Sequence, residues 1–571
     1  MNNLILFTKK IIICNQYKNY LIFIFNTLEM GIPAYFSYII KNYSNIIRNL
    51  KFHDKNKTPF NSLFMDCNSI IYDSYNQFLK SPESMGEYDN FENFLIDTVI
   101  EKIQMYVKDV HPDNILYIAF DGVAPFAKME QQRVRRYKAW HSSTINISGV
   151  SQKTKKWNTA SITPGTNFMK TLSQRIKFFF ENNEKMYGLK KIIVSGSDVP
   201  GEGEHKMFQY IRDNMQPNDN ILVYGLDSDL IMLSIFHVGL CNNIFVFRES
   251  PEFSKNIIGS EFSSKELLFL DIDILCSSIL NEMGCINVAL EKHRIYDYLF
   301  ICFFLGNDFL PHFPSLNIRS SGIQILMEIY KKCIGNFLDR FFISKETGKI
   351  QWKFVELFVS EISKMEHELI LNEYIIRDKM DFYKWPCSTN EEKENALLNS
   401  PVIFRAVEKY ICPNEKMWEE RYYRSLLNVE RKEETVKDIC INYIEGLEWV
   451  FKYYTEGCPD WKWKYKYNYP PLLSDLVKFI PKLNMDFINS TLKYNRPFSS
   501  DLQLAYVLPP SNHYLLSERN QNILKKEYNY FYTDSFDYKW AFCRYFWESH
   551  IILPEIDIDE LHKMEAKLIS V

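Results

Sequence analysis

Residues 200–206 read PGEGEHK and residues 225–230 read GLDSDL. Each segment carries two carboxylates one residue apart, Glu202 with Glu204 and Asp227 with Asp229. Like charges repel, so bringing such pairs together is costly unless a multivalent cation compensates them. Three further acids, Asp66, Asp121 and Asp308, lie in similarly short, apolar-flanked, turn-like settings. A single Asp after a strand is usually a turn or helix-cap residue. Seven acids in this arrangement point instead to an oxygen-only ligand set for Mg²⁺ or Mn²⁺, and paired ions of this kind serve phosphodiester hydrolysis.

Spacing constrains each pair. On a helix, residues i and i+2 are about 200° apart. Glu202 and Glu204 must therefore straddle a glycine turn at a helix start. Asp227 and Asp229 share a side if the chain stays extended beyond its strand.

A second constellation is DGVAPFAKMEQQRVRRYKAW, residues 121–140. If the part after Pro125 is helical, Lys128, Gln132, Arg135 and Arg136 follow an i, i+4, i+7, i+8 pattern and share one face. Taken alone this is a solvated basic face. Beside Asp121 it becomes a fork of donors that holds a terminal phosphate at a fixed distance from a metal-bound bond.

The elements that must position these groups are legible between residues 60 and 330. Apolar runs at 62–71, 115–122, 191–198, 221–229 and 243–250 read as short buried strands. Helical patterns at 91–110 and 205–215 lie between them. This alternation predicts an α/β fold with a largely parallel sheet. Sites in such sheets form beyond the carboxyl ends of the strands, where Asp66, Asp121, Asp198, Asp227 and Asp229 would sit. From about residue 325 the pattern turns mostly helical and charged, without regular strands.

The chain has 571 residues, 46% of them hydrophobic, which suffices for a sizeable core and more than one domain. Its net charge of −4 gives no global argument for nucleic-acid binding, so such an argument rests on local patches. The 43 Phe and 36 Tyr reflect compositional bias, in the manner of an AT-rich protist or large DNA virus, and inflate apparent aromatic patches. Twelve scattered cysteines, with no CxxC pair, argue against zinc knuckles and for reduced thiols in an intracellular, cytoplasmic protein. Apolar residues 11–14 and 20–25 fall short of the roughly 20 needed for a membrane span.

Asp121 to Tyr137 closely resembles the signature of the Xrn-type 5′→3′ exoribonucleases. MGIPAYFSYIIKNYS (30–44) resembles the usual start of that family. NSLFMDCNSIIYD, SITPGTNFM, SGSDVPGEGEHK, GLDSDLIML and LFICFFLGNDFLPHFPSL follow in the family's order. WVFKYYTEGCPDWKWKYKYNYPPLLSDL (449–476) is similar to its second conserved region. The match runs from residue 30 to about 480.

The resemblance implies a PIN/flap-nuclease-like sheet flanked by helices, followed by a largely helical C-terminal region. It divides the chain into an N-terminal extension (1–29), a nuclease domain (30–330), a helical connection (331–430), the second conserved region (431–500) and a C-terminal helical segment (501–571). Residues 1–29 precede the family's start, so synthesis is expected to begin at Met30 in a compact member without long C-terminal additions. The implied activity is processive, metal-dependent removal of mononucleotides from 5′-monophosphorylated single-stranded RNA, such as decapped mRNA, by a monomer. Two ions would be held by Asp66, Asp121, Glu202, Glu204, Asp227, Asp229 and Asp308, with Asn68 as a further active-site residue. Lys128, Gln132, Arg135 and Arg136 would form the 5′-phosphate pocket, and Lys128 would also stabilise charge on the attacked phosphate.

Two departures stand out. Tyr72 occupies the place where the family has a base-stacking His, and Ser69 replaces a Gly. The partner aromatic is Trp461 or Trp463. A flap endonuclease shares the acidic cluster, but the basic fork and the second conserved region argue against it. Retention of all seven acids argues against an inactive RNA-binding protein.

Overall fold

A computed structural model describes residues 32, 34–49, 60–80, 91–144, 157–225, 227–249, 267–284, 291–488 and 495–570. The expected extension, residues 1–29, lies outside them. Five parallel strands make the centre of the sheet: β2 (Ser62–Asp66), β3 (Ile115–Ala119), β4 (Lys191–Ser195), β5 (Asn220–Tyr224) and β6 (Asn243–Glu249). β7 (Leu267–Asp271) and β1 (Ile47–Asn49) add antiparallel pairings at the β6 edge, giving the order β1-β7-β6-β5-β2-β3-β4. β2, β3 and β5 are buried at every residue, as their unbroken apolar runs require.

Helices cover both faces of the sheet. α1 (Tyr35–Asn42), α2 (Asn68–Lys80), α3 (Phe91–Val110), α4 (Phe126–Thr144), α5 (Asn167–Phe180), α6 (Gly203–Asn214), α7 (Asp229–Phe236), α8 (Ile272–Met283) and α9 (Glu291–Cys302) alternate with the strands. The strands are shorter than the apolar runs suggest. In SLFMDCNSII the sheet ends at Asp66 and the same hydrophobic residues continue into α2, because buried helices and buried strands have indistinguishable composition over so few positions.

Beyond α9 the chain is predominantly helical, including α10 (Gly322–Tyr330), α11 (Trp352–Ser363), α12 (Glu366–Asp381), α13 (Glu433–Thr455), α14 (Ser500–Val507), α15 (Glu518–Glu527) and α16 (Ile558–Ile569). Its one sheet among the described residues is a two-residue pairing of β8 (Tyr538–Lys539) with β9 (His550–Ile551). One continuous apolar core joins a sheet face to α9, α11 and α13. A second fills the opposite face of the sheet under α2, α3 and α5, and a third packs α14 and α16 against the start of α4. The ten described cysteines are free. Among the described residues no helix is long and apolar enough to cross a membrane.

Candidate active site

The acids converge at the carboxyl ends of the parallel strands. Asp66 is the last residue of β2, Asp121 follows β3, and Asp227 follows β5. Glu202 is the N-cap of α6, Glu204 lies in its first turn, and Asp229 opens α7. Two helix N-termini therefore present their positive ends to the cluster and offset part of the repulsion. One oxygen each from Glu204, Asp227 and Asp229 form a group within 4.8 Å of one another.

Lys128, in the first turn of α4, reaches into this cluster. Its ammonium lies 2.6 Å from Glu202 Oε2 and 2.6 Å from Asp308 Oδ2, and all three side chains are buried. Asp308 sits in the turn after α9, where Asn307 Oδ1 accepts the Phe309 and Leu310 N–H groups at 2.9 Å. Gly306 has φ +84°, and a Cβ there would meet His312 N at 2.7 Å, so glycine is required at this turn. Asn68 clamps Asp121 reciprocally: its Nδ2 donates to Asp121 Oδ2, and its Oδ1 accepts the Asp121 N–H at 3.2 Å.

Negative charge in the cluster exceeds what Lys128 offsets. Burial, then repulsion by Asp121, holds Asp66 well above the usual carboxylate range. Burial and Asp227 do the same to Glu204, and burial and Asp227 raise Asp229 likewise. Burial raises Glu202 against the pull of Lys128. Burial disfavours the charge on Lys128, but Asp308, Glu202, Glu204 and Asp227 outweigh it and hold the ammonium protonated. Asp227 Oδ2 and Asp229 Oδ1 are buried with no hydrogen-bond partner. An all-oxygen set with bare carboxylate oxygens fits a hard divalent cation.

The reason for glycine between the two glutamates differs from the expectation. Gly203 is an ordinary helical residue, and the left-handed turn falls at Gly201, φ +106°. Gly203 is needed for space: its N–H donates to Asp121 Oδ1 at 2.7 Å, and a Cβ would meet Asp66 Oδ1 at 2.7 Å. Gly203→Ala should push the Asp66 carboxylate aside, cost about 1–3 kcal/mol of stability and disable the site. Equilibrium denaturation and an RNA cleavage assay check this, and a fully active alanine variant would refute it.

Two further expectations need correction. The chain does not stay extended after β5. It turns into α7, with the Asp229 N–H donating to Asp227 Oδ1 at 3.1 Å, and the turn itself brings the two carboxylates together. Asp198 does not join the cluster. It lies on the surface, 62% exposed, paired with Lys177 at 2.9 Å, because the loop after β4 swings its side chain outward.

Of the basic face on α4, Lys128 contacts the acids. Gln132 Oε1 accepts from Gln503 Nε2 of α14 at 3.1 Å. Arg136 donates to the Ile162 carbonyl at 3.2 Å, its buried Nε has no partner, and Tyr72 and Arg135 are its charged or titratable neighbours. Arg135 is half-buried on the same helix. On the other side of α4, Arg133 is 1% exposed, and its guanidinium lies 4.0 Å from the Phe531 ring centroid and 5.0 Å from that of Tyr506. Lys138 donates to the Trp547 and Ser549 carbonyls, each at 2.7 Å. The C-terminal segment thus backs α4.

The two tryptophans separate. Trp463 is buried and stacked on Trp449 at 5.2 Å, a core residue. Trp461 is half-buried, and its carbonyl accepts the Phe126 N–H at the start of α4 at 3.0 Å. Tyr72, on α2, is half-buried.

Sequence reasoning missed Tyr453 and Tyr454 at the end of α13. The Tyr453 hydroxyl donates to Glu202 Oε1 at 2.8 Å, and Tyr454 hydrogen-bonds Asp229. Phe309, beside Asp308, packs edge-on against Trp449 at 4.9 Å and Tyr453 at 5.5 Å. The aromatic run on α13 was visible, but in a Tyr-rich chain nothing marked which rings carry a hydroxyl into the site.

Residues 30–250 match the family model described as the XRN 5′-3′ exonuclease N-terminus, and residues 289–417 and 411–570 match the Xrn1 helical domain. The 5′-3′ exoribonuclease 2 homolog of Drosophila melanogaster is 27% identical over 94% of this chain and 70% of that protein. The 5′-3′ exoribonuclease 2 of Candida albicans is 25% identical over 92% of this chain and 71% of its own length, and that of Arabidopsis thaliana is 25% identical over 94% and 67%. Among solved structures, the catalytic core of Rad2 in complex with DNA aligns with a TM-score of 0.30 at 14% identity, over 60% of this chain and 79% of that one, too distant to carry an argument. With both of the family's domains matched in order along nearly its whole length, the chain belongs to the Xrn-type 5′→3′ exoribonucleases.

Proposed function

We propose that this chain hydrolyses single-stranded RNA from a 5′-monophosphorylated end, one nucleotide at a time, as a monomer with two Mg²⁺ or Mn²⁺ ions. The observation that carries the reading is the buried Lys128, bonded to Glu202 and Asp308 at one end of a helix whose next turns bear Gln132, Arg135 and Arg136. When bound, divalent cations supply the Lewis acidity and charge neutralisation that phosphodiester hydrolysis needs. Glu204, Asp227 and Asp229 offer the open oxygens for them, with Asp66, Asp121, Glu202 and Asp308 around that trio. Asn68 fixes the Asp121 carboxylate. Lys128 lies where it can meet the non-bridging oxygens of the attacked phosphate.

The terminal phosphate is held by Arg135, Arg136 and Gln132, and the fixed length of α4 between them and Lys128 measures off one nucleotide. A larger or more highly charged end does not fit the same donors. Tyr72, beside Arg136, stacks on the terminal base, with Trp461 as its counterpart on the side of the second conserved region. Phenol stacking of this kind does not depend on imidazole protonation. The ten described cysteines are free, which supports an intracellular setting.

The test uses three RNAs that differ only in a 5′-monophosphate, 5′-hydroxyl or 5′-triphosphate, each with Mg²⁺ or Mn²⁺. Only the monophosphate should be degraded rapidly, and equal degradation of all three would sink the pocket assignment. No degradation with either ion would favour an inactive RNA-binding protein. Arg135→Ala should erase most of the end preference, lowering kcat/KM on the monophosphate roughly 10–100-fold, the range for hydrogen bonds to a charged group. Its rate on the hydroxyl end should stay nearly unchanged.

A further inference from the structure

His205 is a buried imidazole that the oxygen chemistry above does not use. It stands three positions after Glu202, so both side chains rise on one face at the start of α6. The residue is 7% exposed, and its Nδ1 is buried without a hydrogen-bond partner. The imidazole bonds the backbone of Tyr453, and the ring lies flat on the Tyr453 phenol, centroids 3.6 Å apart and planes 22° apart. One ligand atom of His205 and one oxygen each of Glu202 and Glu204 lie within 4.8 Å of one another.

A buried imidazole held by the backbone, with a bare Nδ1 and with one ring nitrogen grouped within 4.8 Å of two carboxylate oxygens, has the environment of a metal-ligating histidine. We propose that His205, Glu202 and Glu204 form a mixed nitrogen–oxygen site at the edge of the acidic cluster that takes a first-row transition ion, Mn²⁺ or Zn²⁺, in preference to Mg²⁺. Mg²⁺ selects oxygen ligands and dehydrates reluctantly, whereas a neutral imidazole suits Zn²⁺, and Mn²⁺, though itself an oxygen binder, opens the same series of first-row ions that take nitrogen. Glu202 holds Lys128 through Oε2 and Tyr453 through Oε1, so an ion at this site must draw one oxygen away from one of those partners. Mn²⁺ and Mg²⁺ would then differ in how Glu202 is held as well as in the bound ion. The proposal rests on reading the acids as metal ligands.

The experiment is electron spin-echo envelope modulation on the full chain loaded with Mn²⁺ alone, without RNA. Directly coordinated ¹⁴N modulation is expected. It should change to the ¹⁵N pattern when the wild-type chain is made with ¹⁵N-histidine, and it should vanish in His205→Gln. The labelled wild type keeps the test decisive if the variant does not fold. Bound Mn²⁺ without nitrogen modulation would overturn this proposal and leave the oxygen cluster standing. Modulation that survives His205→Gln would also overturn it, and failure to bind Mn²⁺ at all would overturn the reading of the cluster together with it.

Discussion

Asp227→Asn is expected to stop RNA hydrolysis while raising the melting temperature of the metal-free protein at about pH 7.5. Burial, then the repulsion of Asp308, pushes the Asp227 carboxyl up to about 7, with Lys128 and the Asp229 N–H giving only partial relief. The folded group therefore keeps a proton that the unfolded chain releases from pH about 4 upward. Stability is fully present below that window and is lost as pH rises through it to about 7. Asparagine retains an acceptor for the Asp229 N–H and removes the charge, so the variant should melt higher than wild type at about pH 7.5 and close to it at about pH 5. Activity should fall at least about 100-fold, the scale for losing one preorganised electrostatic contact at a reacting phosphate. Scanning fluorimetry in chelator at the two pH values, followed by Mg²⁺ addition and an RNA cleavage assay, tests both halves. Mg²⁺ should stabilise wild type much more than the variant. A pH slope unchanged by the substitution, or an active variant, would refute the assignment.

Removing the cation has the opposite sign. Lys128→Met takes away the ammonium that lies 2.6 Å from both Glu202 and Asp308 and strips two buried carboxylates of that countercharge. Breaking a buried pair from one side costs about 3–5 kcal/mol, so the metal-free variant should be much less stable than wild type, and less stable than Asp227→Asn by a wider margin still. Divalent metal should recover most of the loss, because it replaces the missing charge, yet cleavage should remain deeply impaired since the attacked phosphate loses its partner. Chemical denaturation with and without Mg²⁺ measures the first effect and single-turnover cleavage the second. A variant as stable as wild type in chelator would show that Lys128 does not neutralise the cluster.

The strand ends and their acids were legible because a short apolar run closed by Asp is a local signal. Asp66 falls at the end of its strand and Asp121 and Asp227 just past theirs, as expected. The helix after Pro125 was equally local, since an i, i+4, i+7, i+8 spacing needs no tertiary information. Asp198 misled for the same reason: it has the strand-end signature of Asp121, and only the path of the following loop sends it to solvent. Gly203 shows a subtler limit. The sequence marks a glycine but not whether it supplies a turn or an empty volume, and here the volume is filled by Asp66 from a strand far away in the chain. Trp461 and Trp463 could not be told apart because their roles depend on which side of the segment meets Trp449. Tyr453 was illegible because its partner, Glu202, is remote in sequence.

The enclosure of Arg133 bears on the order in which the enzyme is made. The helix that carries Lys128 is synthesised well before the residues that back it: its far side is closed by Tyr506 and Phe531, and its end is tethered through Lys138 to the Trp547 and Ser549 carbonyls. Until they arrive, the guanidinium of Arg133 has no aromatic box and α4 has no back wall. The catalytic centre is therefore finished only after residue 549 has been added, so a ribosome that has made only the acid-bearing segment would carry an incomplete nuclease beside its own message.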